Sequence, residues 1–123
     1  MYVVDSSNFT QHKSNRANQI KIRGTKYTAG AIVRVQTPLL PCAYCQIQDI
    51  YIYHDHKIFK MEVINITQYV EHLRAIEIEF TSQMLLATHN DFCGHGVLHL
   101  KKKGLHNYIF ERELWFMHQQ LLQ

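Results

Sequence analysis

Residues 45–66 read CQIQDIYIYHDHKIFKMEVINI, and their patterning decides the fold class. Ile and Tyr dominate the first half, and β-branched and aromatic side chains suit a pleated, half-buried surface. Ile47 and Ile50 cannot share one face of a regular strand, because side chains alternate with period two. A bulge near Gln48-Asp49 restores the register. His54-Asp55-His56-Lys57 then reads as a hairpin turn into a second strand over 58–66.

The same texture extends outward. On the N-terminal side, Ile20 and Ile22 alternate with Lys21 and Arg23 before a Gly24-Thr25 turn signal. Ala29-Gly30 marks another turn, after which Ala31, Val33 and Val35 fall on one face, opposite Arg34 and Gln36. The stretch 37–44 holds both prolines, Pro38 and Pro41, and reads as a loop. On the C-terminal side, 67–74 reads as a short helical turn or loop. The pattern over 75–80 predicts a strand with Ile76, Ile78 and Phe80 inward and Glu77 and Glu79 outward, and 83–88 predicts another. Val97–Lys101 alternates again, Lys102-Lys103-Gly104 reads as a turn, and Tyr108–Phe110 opens a last strand. In the tail 111–123, Leu114, Met117 and Leu121 have helical spacing. Many short strands with frequent turn signals predict a mainly β domain: a small, SH3-like bent barrel with a short C-terminal helix.

The chain has 123 residues, enough for one domain with a real core, and its 46% apolar content is ordinary for a globular protein. Residues 1–19 are polar and locally basic and read as a flexible arm, with 20–123 as the single barrel domain. No transmembrane run or secretory leader is apparent, and three cysteines do not make a disulfide framework. The expectation is an intracellular protein of the nucleus or cytoplasm, with no membrane association.

The body resembles the bromo-adjacent-homology (BAH-like) barrel. The residues that carry the likeness are Tyr27-Thr28-Ala29-Gly30 before an alternating strand, the proline-bearing loop, and Cys45-Gln46-Ile47-Gln48-Asp49-Ile50-Tyr51-Ile52. It is similar also to a domain that recurs in uncharacterised animal proteins associated with mobile elements. There the matching runs are Glu71-His72-Leu73-Arg74-Ala75-Ile76-Glu77-Ile78, Val97-Leu98-His99-Leu100 and Tyr108-Ile109. The likeness spans about residues 20–116. It implies a β-barrel appended to other modules, with no established activity. The group favours a small residue where Cys45 stands.

Four constellations offer chemistry. Cys42-Ala43-Tyr44-Cys45 with Cys93-Gly94-His95 has the outline of a zinc site, but Cys-x-His is not ordinary zinc spacing, and packing is the preferred reading of these cysteines. His54-Asp55-His56 is better read as a turn than as an acid–base site. No cofactor is implied, and no catalytic pattern marks an enzyme. Lys13, Arg16, Lys21 and Arg23, with the triplet Lys101-Lys102-Lys103, would contact phosphates of DNA or RNA. Tyr44, Tyr51, Tyr53 and Trp115 are candidates for an aromatic, partner-binding cage of the kind that chromatin readers close around methylated lysine. The sequence thus predicts a non-enzymatic interaction module for a protein or peptide in a nuclear or chromatin context. Its alternative is a nucleic-acid-binding accessory domain. Oligomeric state is not legible.

Overall fold

The computed structural model describes residues 15–38, 42–94 and 96–114. The strands among them are β1 (Asn15–Ala17), β2 (Gln19–Ile22), β3 (Thr25–Thr28), β4 (Ile32–Val35), β5 (Ala43–Tyr53), β6 (His56–Val70), β7 (Ala75–Ala87), β8 (Lys101–Lys103) and β9 (His106–Phe110). The main sheet is antiparallel in the order β1-β5-β6-β7-β9-β8, with β4 also on β5, while β2 and β3 form a separate hairpin. The sheet curls into a half-barrel, and a short helix follows β9 over 111–114. The mainly β, bent-barrel expectation is met.

The phase slip in β5 is a bulge. Pairing with β6 skips between Ile47 and Asp49, so Ile47 and Ile50 both reach the core. The bulge falls where β5 changes partner: β4 pairs with residues 43–46, and β1 with 50–52. Between them, the Ile47 carbonyl accepts from the Gly30 N–H at 2.7 Å. Gly30 has φ of +96°, a conformation that side-chain-bearing residues avoid, so this tight return needs glycine. His54 and Asp55, both at positive φ, form the two-residue turn from β5 to β6, the type I′ geometry that matches strand twist.

The core has two clusters. The first contains Tyr27, Val33, Val35, Cys45, Ile47, Ile50, Phe59, Met61 and Leu85, and the second Ile32, Ile64, Ile78, Leu98 and Ile109. Strand β4 therefore buries both faces, which its alternating pattern did not reveal. Ile32 and Leu98 exchange backbone hydrogen bonds at 2.7 and 2.8 Å, which set Leu98 alongside β4 on the edge away from β5 and its side chain with Ile32 in the second cluster. On the first cluster, Tyr27 lies edge-on to Phe59 and its hydroxyl meets His89 Nε2 at 3.1 Å.

Several boundaries differ from expectation. Strand pairing begins at Asn15, inside the stretch read as an arm, while residues 1–14 lie outside the described ones. The two strands read over 75–80 and 83–88 are one, bent at Ser82, whose φ is +65°. The bend survives because its polar groups find partners. Thr81 Oγ1 donates to the Val63 carbonyl at 2.7 Å, and the Ser82 N–H donates to Glu62 at 3.0 Å. Phe80, expected inward, lies next to this bend and is 38% exposed. The lysine triplet is not the turn. Lys101–Lys103 is strand β8, and Gly104-Leu105 makes the turn into β9, with Gly104 at φ +64°.

Candidate interaction surface

Strand β8 ends the main sheet, and among the described residues its one strand partner is β9. Lys101 faces Tyr108, Lys102 faces Asn107 and Lys103 faces His106, and all three lysines are exposed. Alternation sends Lys101 and Lys103 to one side of the sheet and Lys102 to the other. Lys103 Nζ lies 5.8 Å from the centre of the Phe110 ring. At the turn, Leu105 is 92% exposed. An edge strand presents backbone N–H and C=O groups that no neighbour has paired, and lysines are a common guard against unwanted pairing there.

At Lys101 the strand borders a cleft of about 750 Å³, lined also by Leu73, Arg74, Phe110 and Glu111 to Glu113. Leu73 and Phe110 supply its apolar part. Glu111 accepts from the Tyr69 hydroxyl at 3.4 Å, and one oxygen of Glu113 lies 3.5 Å from His99 Nδ1. The other oxygen, Oε2, is buried with no donor. Leu105, Arg74, Phe110 and Glu113 were not singled out from sequence. An apolar residue in a Lys-Lys-Lys-Gly-Leu run was the visible hint for Leu105; the rest meet only through the pairing of β7 with β9.

The other basic residues stand elsewhere. Lys13 lies outside the described residues. Arg16 is engaged with Asp49 in an ion pair and sits opposite Tyr51. Lys21 is directly opposite Lys26 on the β2–β3 hairpin, and Arg23 is in its turn. The N-terminal group and the lysine triplet thus belong to different sheets or opposite ends of one, with no single track through both in the strand order.

The aromatic residues do not form one cage on β5. Tyr44 pairs with Ile64 and Tyr51 with Ile58, six rungs further along the β5–β6 ladder. At about 3.3 Å per residue that separation is roughly 20 Å along the strand, too far for a shared cation. Tyr44 instead packs on the second cluster and carries the Arg34 guanidinium 5.7 Å from its ring centre. Tyr51 is buried, and Tyr53 lies edge-on to His54. Trp115 lies outside the described residues.

The cysteines also divide. Cys45 is in the first cluster, and burial pushes its thiol up to about 12. Cys42 is exposed and accepts from Arg34 Nη2 at 2.8 Å. Cys93 is partly buried, and its thiol is raised by that burial and by the neighbouring Cys42. A knuckle needs Cys42 and Cys45 on one ion, whereas here one thiol is at the surface and the other is sealed in the core. A guanidinium beside Cys42 also opposes a cation. Among the described residues no group of three His, Cys, Asp or Glu side chains is placed to hold a metal ion; His95 lies outside them. No described helix is long and apolar enough to cross a membrane.

No protein-family model, curated protein or solved structure matches this chain.

Proposed function

We propose that this domain is a non-enzymatic interaction module that binds a protein or peptide partner. The observation that carries this reading is the edge of β8, which has no second strand partner among the described residues, together with the cleft at Leu73 and Phe110 that Lys101 also lines. Backbone groups on a sheet edge give an extended peptide its affinity, and an adjoining apolar recess gives selectivity. The nuclear or chromatin setting is part of the proposal and is supported by the resemblance to BAH-like barrels alone.

The experiment is selection of peptides from a displayed library on the immobilised full chain, followed by hydrogen exchange of the chain with a selected peptide. Binding that slows exchange in Lys101–Phe110 supports the module. A library that yields no binder, or binders that protect only other strands, overturns this placement.

A second reading has its own observation. Lys21 and Lys26 stand side by side on the β2–β3 hairpin with Arg23 in the turn, a cluster suited to phosphate. In this reading the domain is a nucleic-acid-binding accessory. A salt titration on generic DNA and RNA separates the two, because replacing Lys21, Arg23 and Lys26 by alanine would then weaken binding and flatten its salt dependence.

A further inference from the structure

We infer that the partner of the β8 edge is an extended acidic segment, which adds antiparallel to Lys101–Lys103 and places one apolar side chain in the cleft at Leu73 and Phe110. This deepens the interaction-module reading and rests on it.

Charge selects the occupant. Lysines on both faces of β8 mean that an added strand meets an ammonium whichever way its side chains point. A second copy pairing edge to edge would set three lysines against three more, and like charges directly opposite are unfavourable. A strand with Asp or Glu opposite them turns the same guard into attraction. At the cleft, Arg74, Lys101 and Arg112 add cations, while Glu111 and Glu113 already have Tyr69 and His99 beside them.

Two features favour a peptide over a nucleic acid at this place. The edge offers alternating backbone donors and acceptors, which match another backbone and not a phosphate chain. The acidic side chains of Glu111 and Glu113 on the cleft wall suit the uncharged part of a peptide better than a phosphate chain. The apolar walls of Leu73 and Phe110 call for an uncharged side chain between the acids.

The test uses the full chain and a fluorescein-labelled heptapeptide of alternating valine and glutamate, valine at both ends and phenylalanine in place of the central glutamate, so that the acids share the phenylalanine's face, followed by anisotropy at low and physiological salt. Binding should weaken with salt, and Lys101→Glu with Lys103→Glu should lower affinity about tenfold or more. The same reversal should create affinity for the peptide with lysine in place of glutamate. Lys57→Glu, at an exposed position of β6, is the control and should change little. A peptide with prolines replacing the valines should bind far less, because proline lacks the N–H that the edge needs. Equal binding of the proline peptide, equal competition by single-stranded DNA, or no effect of the double reversal overturns the inference. If library selection yields edge binders that carry no acids, the inference fails while the interaction-module reading stands. If it yields no edge binders, both fail.

Discussion

Ile32→Ala probes the feature of the fold that was hardest to foresee, the burial of both faces of β4. Ile32 is fully buried in the second cluster, while its neighbours Val33 and Val35 fill the first. The substitution removes three carbons, which at about 0.8 kcal/mol each is roughly 2.4 kcal/mol of transfer free energy. A residual cavity of about 80 Å³ adds roughly 2 kcal/mol at ~24 cal/mol per Å³, so the total is about 4 kcal/mol. Partial collapse of the site would lower that toward 3 kcal/mol, still about 2 M in urea midpoint for a slope near 1.5 kcal/mol/M. Ile66→Ala is the matched comparison: Ile66 is 52% exposed, and its loss should cost about 1 kcal/mol or less. Urea unfolding followed by far-UV circular dichroism reads both. Because Ile32 and Leu98 pair directly, the double alanine variant should lose less than the sum of the two single losses. An Ile32→Ala variant no less stable than Ile66→Ala, or strict additivity with Leu98→Ala, would refute the two-cluster description of the barrel.

Two further outcomes follow from buried and strained positions. Burial holds the Cys45 thiol at about 12 against an ordinary value of 9.0, so the unfolded chain loses this proton first as pH rises. The stability present below pH 9 is therefore lost between about 9 and 12, by up to roughly 4 kcal/mol for this group. The stability gap between wild type and Cys45→Ala should narrow across urea titrations at rising pH; a constant gap would show that the thiol is not sealed in the core. Gly30→Ala meets no atom within 4 Å but inherits φ of +96°, and should cost about 1–2 kcal/mol from the backbone alone. A neutral effect in the same unfolding assay would mean that the return between β3 and β4 relaxes freely.

Local patterning carried much of this fold. The clash of phase between Ile47 and Ile50 located the bulge, and His54-Asp55 located the turn, because both are decided by a few neighbouring residues. Features set by distant partners were not legible. The burial of Ile32 was not legible because its partner, Leu98, is remote in sequence. The polar run at Thr81-Ser82 looked like a strand end, since nothing local shows that Glu62 and the Val63 carbonyl would satisfy its polar groups. Lys101-Lys102-Lys103 looked like a turn because charge and a following glycine are shared by turns and guarded edges. Its place at the end of the sheet depends on which strands pair with β9. At the candidate surface the lysines were thus found, but Arg74, Phe110 and Glu113 entered only through tertiary contact. For the Cys-x-x-Cys pair, packing was the preferred reading, and Cys45 does sit in the core while Cys42, three residues before it, faces solvent.

The most direct test of the docking surface is amide hydrogen exchange of the full chain with and without the acidic heptapeptide. Exchange should slow in Lys101–Lys103 and at the cleft residues Phe110 to Glu113, with the β2–β3 hairpin unchanged. Protection centred on the hairpin, or no protection at β8 under conditions where the peptide is bound, would contradict this placement of the surface.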